Sequence, residues 1–129
     1  MTVTPSPPAP VPVPGRRDVA TTQAWTAVCA VEGLIPGRGV AALVDGSPVA
    51  VFWLGDDDVV ALDDVDPFSG VAILSRGLVG DVGGEPTVAS PLYKQRFALR
   101  SGRCLDDDAV DVRTWPARIS AGVIEVGTG

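Results

Sequence analysis

Short apolar runs of strand length, separated by turn-forming residues, constrain the fold of this chain more than any other feature. The runs 39–44 and 48–54 flank Asp45-Gly46-Ser47, a sequence typical of a tight β-hairpin. A second turn leads into the run 59–62, so that three antiparallel strands form a meander. Many short strands at regular spacing predict an all-β sandwich or barrel. The other strand candidates are 25–31, 87–90, 96–99, 110–113, 117–120 and 123–126.

Helical signals are sparse between these runs. The segment 69–74 is predicted to form one or two turns of helix, whereas Pro116 and the frequent glycines argue against any long helix. The glycine-rich segment 77–84 has neither the G-x-G-x-x-G order nor a Walker lysine, and it is not followed by a helical pattern. We interpret that segment as a flexible connection rather than as a nucleotide-binding loop.

Residues 1–23 differ in composition from the rest of the chain. Six of the twelve prolines fall within residues 1–15, and prolines at this density favour extended conformations without a core. We therefore predict a disordered N-terminal extension over 1–23 and a single domain over 24–127. A proline-rich ligand for an aromatic groove on a partner is the alternative interpretation of the extension.

The charge and hydropathy of the chain disfavour several classes of partner. The net charge is −6, and phosphate contacts need clustered lysine and arginine, so nucleic acid and anionic membrane surfaces are poor partners. No apolar stretch has the length of a transmembrane helix, and no compact apolar segment follows a basic one as in a secretory signal. A cytoplasmic location is the resulting expectation.

The side chains that remain offer little catalytic chemistry. The chain contains no histidine, which excludes the Ser-His-Asp and Cys-His mechanisms. Aspartate clusters at 56–58, 63–66 and 106–108 are interpreted as solvated turns; calcium binding is the alternative, although none has the EF-hand spacing. Cys29 and Cys104 lie in strand-like runs and are interpreted as separated, buried, reduced thiols, with a disulfide as the alternative. We predict no catalytic, cofactor-binding or metal-binding residue in this chain.

Two short segments have the spacing of an iron–sulfur site but none of its ligands. Asp66-Pro67-Phe68 and Ser90-Pro91-Leu92-Tyr93 match the C-x-H and C-x-x-H spacing with which a Rieske [2Fe–2S] centre is bound by two cysteines and two histidines. Asp66 and Ser90 stand at the thiolate positions, and Phe68 and Tyr93 stand at the imidazole positions. These side chains cannot bind that cluster. A replacement metal on Asp66, Ser90 and Tyr93 would be weakly held, because the set lacks a histidine.

Three motifs in order resemble one family in particular. Asp66-Pro67-Phe68, Leu74-Ser75-Arg76-Gly77 and Ser90-Pro91-Leu92-Tyr93-Lys94-Gln95-Arg96-Phe97 are similar to segments of the small subunit of bacterial assimilatory NAD(P)H nitrite reductase. The resemblance extends over roughly residues 25–126. It implies a Rieske-like fold of stacked antiparallel sheets with a small subdomain that carries the two former ligand loops and no cluster.

The same resemblance implies a function. The chain would be a non-redox subunit, not catalytic alone, that docks to or stabilises a large subunit carrying FAD, a [4Fe–4S] cluster and sirohaem. That large subunit would reduce nitrite to ammonia with electrons from NAD(P)H, in nitrate and nitrite assimilation. The alternatives are a free-standing ligand-free Rieske-like binding module and a ferredoxin-type electron carrier, which the missing ligands disfavour.

The resemblance also leads to two expectations about single residues. Phe68 and Tyr93 are predicted to fill the volume that a cluster would occupy, with Asp66 and Ser90 hydrogen-bonded to the loop backbone. A partner interface is predicted near the tips of the two loops, since that end of a Rieske protein faces its redox partner. The candidate interface residues are Arg76, Lys94, Gln95 and Arg96.

Overall fold

The computed structural model describes residues 24–128, so the predicted extension over 1–23 lies outside the described residues. Ten strands and one short 3-10 helix, Leu74–Arg76, make up the regular structure of this part of the chain, which confirms the all-β prediction. No helix within residues 24–128 is long and apolar enough to cross a membrane. In chain order the strands are β1 (Ala24–Ala30), β2 (Gly39–Val44), β3 (Ser47–Gly55), β4 (Asp58–Asp63), β5 (Leu78–Val82), β6 (Glu85–Ala89), β7 (Arg96–Ala98), β8 (Thr114–Trp115), β9 (Ala117–Ser120) and β10 (Val123–Thr128).

The strands form three antiparallel sheets, in the orders β1-β10-β9, β2-β3-β4-β8 and β5-β6-β7. The predicted meander is the β2-β3-β4 part of the second sheet, which confirms that prediction. Tight two-residue turns close four hairpins, β2-β3, β3-β4, β5-β6 and β9-β10. Asp45 and Gly46 have φ angles of 52° and 79°, which place both residues in the left-handed region that a type I′ turn requires.

The core has two halves, and the central strand β3 contributes to both of them. Successive side chains of a strand point to opposite faces, so Val49 and Val51 enter one cluster while Ala50 and Phe52 enter the other. The first cluster lies between the first and second sheets and includes Ile124. The second cluster lies towards the third sheet, beneath the two former ligand loops. Its buried members are Ala50, Phe52, Leu62, Leu74, Val88, Phe97, Leu99, Cys104 and Val112.

The two cysteines belong to different halves of this core. Cys104 is buried in the cluster near the third sheet, whereas Cys29 on β1 packs against the other cluster. Neither thiol is bonded to the other. The interpretation as separated free thiols is therefore confirmed, but the expectation that both are buried is wrong for Cys29, which is half-buried.

Three local predictions were wrong. The segment 77–84 is not a flexible connection, because β5 and β6 pair from Leu78↔Ala89 to Val82↔Glu85 around a turn at Gly83 and Gly84. The segment 110–113 makes one isolated bridge, Arg103↔Asp111, and the strand that joins the second sheet begins only at Thr114. The helix predicted over 69–74 is replaced by turns and by the 3-10 helix that starts at its last residue.

An exposed ion pair joins β4 to the turn after β7, and it makes stability depend on pH. Arg100 donates hydrogen bonds of 3.0 and 2.7 Å to the two carboxylate oxygens of Asp58, which lowers the pKa of Asp58. A carboxyl group whose pKa is lower in the folded state adds stability above its unfolded pKa of about 3.9, and this stability is lost as the pH falls through the folded value.

We therefore expect Asp58→Asn to lower the free energy of unfolding at pH 7 by less than about 1 kcal/mol, because the pair is exposed. The loss is expected to shrink in high salt and to vanish at pH values below the folded pKa of Asp58. Urea unfolding across this pH range measures it, with Asp57→Asn as the matched control. An effect of Asp58→Asn that stayed constant with pH would contradict the assignment.

Candidate functional site

The two former ligand loops lie side by side at the outer end of the third sheet. The first loop follows β4, and Asp64 closes its base: the backbone N–H groups of Ile73 and Leu74 donate to the Asp64 carbonyl at 2.9 Å. The Asp64 side chain is buried and accepts a 2.6 Å hydrogen bond from the Ser75 N–H. The second loop connects β6 to β7, and its base is closed by a 2.9 Å bond from the Ser90 N–H to the Gln95 carbonyl.

The two thiolate positions are joined directly by a hydrogen bond. The Ser90 hydroxyl donates to Asp66 Oδ2 at 2.5 Å, and the Phe68 N–H donates to Asp66 Oδ1 at 2.8 Å. The Leu92 N–H in turn donates to Ser90 Oγ at 3.3 Å. Asp66 and Ser90 are both fully buried, so this network is shielded from solvent. The predicted bonds to the loop backbone are confirmed, but the Asp66–Ser90 link between the loops was not predicted.

The two imidazole positions have different environments. Phe68 packs against the core cluster beneath the loops, with its ring centroid 6.2 Å from that of Phe97. Phe68 is half-buried, and its predicted filling role stays a prediction that this packing supports. The filling role is wrong for Tyr93, whose residue surface is 58% exposed. The reason is the turn of the second loop, in which the Lys94 N–H bonds to the Ser90 carbonyl and Lys94 adopts a φ of 67°.

The interpretation of the aspartates at 63–66 as a solvated turn is wrong. Asp64 and Asp66 are buried, and Asp63 accepts a 2.8 Å hydrogen bond from the indole N–H of Trp115. Their carboxylates satisfy backbone and side-chain donors that the loop would otherwise bury unpaired. These residues therefore hold the loop in shape.

The residues at the four positions do not fit a Rieske [2Fe–2S] centre. Such a centre needs two thiolates and two imidazole nitrogens. Here the side chains of Asp66 and Ser90 are hydrogen-bonded to each other and to loop amides. Phe68 has no atom that can coordinate a metal, and Tyr93 is exposed. Nor are Asp66, Ser90 and Tyr93 brought together for a replacement metal. Across residues 24–128, no group of three or more histidine, cysteine, aspartate or glutamate side chains is arranged to hold an ion.

The predicted interface residues differ in their contacts. Lys94 is exposed in the second loop, next to Gln95, whose side-chain oxygen is buried without a partner in the described structure. Arg96 is bound to Asp106 through a 3.0 Å ion pair, which raises the pKa of Arg96 and lowers that of Asp106. Arg76 lies just before β5, across the third sheet from Arg96 but at the same end of it, since Leu78 pairs with Ala89 and Ala89 pairs with Arg96. Whether these residues share one interface stays a prediction.

Sequence reasoning missed the apolar character of the loop surface. Val71 on the first loop and Leu92 and Tyr93 on the second are 46%, 51% and 58% exposed, and we call these three residues the loop tip. The available signal was the run Pro91-Leu92-Tyr93 within a segment predicted to be a loop. Large apolar side chains on a rigid exposed turn are typical of a protein interaction surface.

Comparison with known proteins agrees with this geometry. The Rieske-like [2Fe-2S] domain family matches residues 24–127. The nitrite reductase (NADH) small subunit of Salmonella typhimurium is 42% identical over 103 residues, which are 79% of this chain and 95% of that protein. The nitrite reductase [NAD(P)H] large subunit of Klebsiella oxytoca is 45% identical over 103 residues, which are 80% of this chain but only 11% of that protein.

A solved structure shows the same fold. The crystal structure of an NADH-dependent nitrite reductase small subunit from Mycobacterium tuberculosis superposes with a TM-score of 0.80 at 54% identity. The match covers 84% of this chain and 97% of that one. The chain therefore belongs to the Rieske-like [2Fe-2S] domain family and, within it, to the small subunits of NAD(P)H nitrite reductase.

Proposed function

We propose that this chain is a non-redox subunit that docks to and stabilises the large subunit of an NAD(P)H-dependent nitrite reductase. The large subunit would hold the FAD, the [4Fe–4S] cluster and the sirohaem, and it would reduce nitrite to ammonia in the cytoplasm during nitrate and nitrite assimilation. The observation that carries the proposal is the direct Asp66–Ser90 bond between loops that hold a cluster in redox-active Rieske proteins.

This bond supports a structural role for the loops in place of electron transfer. In a Rieske protein the metal cluster links the two loops covalently. In this chain a buried carboxylate and a hydroxyl link the same two positions, and Phe68 packs on Phe97 beneath them. Carboxylate, hydroxyl and phenyl groups do not carry electrons at biological potentials. What the loops retain is a fixed shape, which suits them for binding.

The Klebsiella protein supports a docking role. A region 45% identical to this chain forms 11% of a polypeptide that is named as the large subunit. A domain that belongs to one polypeptide in one organism, and is a separate small subunit in others, is expected to hold a fixed position on its partner. We infer that the separate chain reaches the same position by docking.

The loop tip is the proposed centre of the interface. Leu92 and Tyr93 are exposed apolar side chains on a turn held from below by Ser90 and Asp66. A preformed turn loses little conformational entropy on binding, and tyrosine is a frequent hot-spot residue. Lys94, the only lysine of the chain, adds a positive charge beside them. Arg96 contributes less than its position suggests, because Asp106 already neutralises it.

The direct test is complex formation between the purified chain and the large subunit. Titration followed by size-exclusion chromatography is expected to give one complex, while the chain alone purifies without stoichiometric iron. Failure to form a complex would overturn the docking role and favour the free-standing module. Stoichiometric iron with a Rieske spectrum in the isolated chain would overturn the non-redox role and favour the electron carrier.

A further inference from the structure

In the part of the chain that the structure describes, the third sheet ends in a strand with no neighbour on its outer edge. β5 pairs with β6 on one side and is the outermost strand of its sheet. Gly83 and Gly84 form a two-residue turn, so the closing pair Val82↔Glu85 exchanges both backbone hydrogen bonds. Because the pattern alternates along an antiparallel pair, the backbone groups of Val79 and Asp81 must face away from β6.

The partner strand supports this alternation. Pro86 lies opposite Asp81 and has no N–H to donate, as expected for a pair that is not hydrogen-bonded. The Pro86 carbonyl faces away from β5 and accepts a 2.9 Å hydrogen bond from the Leu99 N–H. Within residues 24–128, the Val79 and Asp81 amides thus have no strand partner and are available to a further strand.

The edge of β5 lacks the usual protection against pairing. Edge strands are commonly blunted by lysine, proline or a bulge, or are covered by another segment. β5 has none of these features within residues 24–128, and Asp81 is its only charged residue. Leu78 and Val82 are 78% and 43% exposed on the same face of the strand. Such an exposed edge is suited to β-augmentation, in which a partner segment adds a strand.

A groove of about 490 Å³ adjoins the first residues of this edge. Leu78 and Val79 line one side of it, and Ile35 and Pro36 line the other. The groove also includes glycines that permit close backbone packing: a Cβ atom at Gly39 would lie 2.1 Å from the Ser75 carbonyl oxygen. The groove can accept an apolar side chain from a segment that runs along β5.

Two arginines flank the groove and give the site its charge. Arg38 and Arg76 both line it and are exposed, and neither forms an ion pair with a residue in the part of the chain that the structure describes. In contrast, Arg96, Arg100 and Arg118 are each paired with a carboxylate. Two exposed arginines that line one groove, without an ion pair to any residue of 24–128, favour an acidic partner at this place.

We propose that the β5 edge and this groove form a second docking surface, on which an extended acidic segment of the large subunit adds as a fourth strand. The inference rests on the proposed docking function and names a contact within it. The Val79 and Asp81 backbones bind the added strand, an apolar side chain of the segment lies between Ile35 and Leu78, and its carboxylates face Arg38 and Arg76.

Proline substitution tests the edge with little effect on the hairpin. Proline is tolerated in a strand where its missing N–H would face outward, so Asp81→Pro removes one docking bond and obstructs the new strand. Asp81 is exposed, so this change spares the core packing of Val79. The matched control is Leu43→Pro on the outer edge of β2, where Leu43 lies opposite Pro48 as Asp81 lies opposite Pro86. We expect Asp81→Pro to weaken binding of the large subunit at least tenfold, with Leu43→Pro unchanged.

A charge reversal tests the partner's chemistry. The double variant Arg38→Glu/Arg76→Glu is expected to weaken binding at least tenfold at low salt, with a smaller loss at high salt. Arg103→Glu, at an exposed position outside the groove, is the control and is expected to bind as the wild type does. Equal effects of both substitutions would overturn the acidic partner.

Hydrogen exchange on the wild-type complex decides the inference even if the proline variant does not fold. The Val79 and Asp81 amides are expected to exchange rapidly in the free chain and to slow at least tenfold when the large subunit binds. Unchanged exchange there in a formed complex overturns the second surface and leaves docking intact, whereas no complex at all overturns the docking function itself. Protection of both amides in the chain alone at high concentration, with dimerisation, would assign the edge to a second copy.

Discussion

Replacing Asp66 with alanine is expected to lower the free energy of unfolding by about 3 kcal/mol. The carboxylate of Asp66 is fully buried and accepts from the Ser90 hydroxyl and from the Phe68 N–H. Its removal leaves two buried donors unpaired, and each unpaired group costs roughly 1–3 kcal/mol. Urea unfolding at pH 7 measures the loss. Asp66→Asn keeps the shape and can still accept from Phe68, so a smaller loss is expected.

A double-mutant cycle separates the bond between the loops from the rest of the network. Ser90→Ala and Asp66→Ala are expected to be less destabilising together than the sum of the two single changes, with a coupling of about 1 kcal/mol or more. Ser101→Ala is the matched control, since Ser101 is an exposed turn residue that accepts only from the Arg103 N–H. Additive effects at Asp66 and Ser90 would show that no bond links the loops.

Replacing Tyr93 with alanine is expected to weaken binding of the large subunit about 30-fold, which corresponds to about 2 kcal/mol. The ring is exposed in the free chain and lies at the proposed centre of the interface, so truncation removes contact area with little effect on folding. Titration of the large subunit measures the affinity. The control is Leu43→Ala, because Leu43 is 70% exposed on β2 and far along the chain from both loops.

The outcome at Tyr93 distinguishes two explanations of its exposure. Equal affinity for Tyr93→Ala and the wild type, with intact folding, would remove the loop tip from the interface. A loss confined to Tyr93→Ala, with Leu43→Ala unchanged, would support it. The charge of Lys94 is expected to contribute less to the affinity than Tyr93 does, and its contribution is expected to fall with salt, since exposed charges mainly set the rate of association.

The sequence predicted those parts of the fold that depend on residues close together in the chain. Asp45 and Gly46 can both adopt positive φ angles, so the hairpin between β2 and β3 follows from the two residues and their apolar flanks. The all-β class follows from the short runs that surround such turns. The spacing of Asp66, Phe68, Ser90 and Tyr93 also identified the two loops that the structure places side by side.

The features that were not predicted depend on contacts between residues far apart in the chain. An aspartate near a strand end resembles a turn residue, and the hydrogen bond that links Asp66 to the second loop comes from Ser90, 24 positions away. Asp64 is similar, because its donor Ser75 lies 11 positions away. The glycines of the segment 77–84 favour a flexible connection, because the strand that forms there shows little alternation of polar and apolar residues. Tyr93 was expected inside because its position in the motif suggested a ligand, whereas the turn at Lys94 places it outside.

Nitrite-dependent oxidation of NAD(P)H by the purified large subunit, with and without the iron-free chain, tests the central claim most directly. If the chain is a non-redox docking subunit, adding it in equal amount is expected to raise the rate or the lifetime of the activity, with no iron required in the chain. An unchanged rate and lifetime, in mixtures where no complex forms, would contradict the account and leave a free-standing binding module.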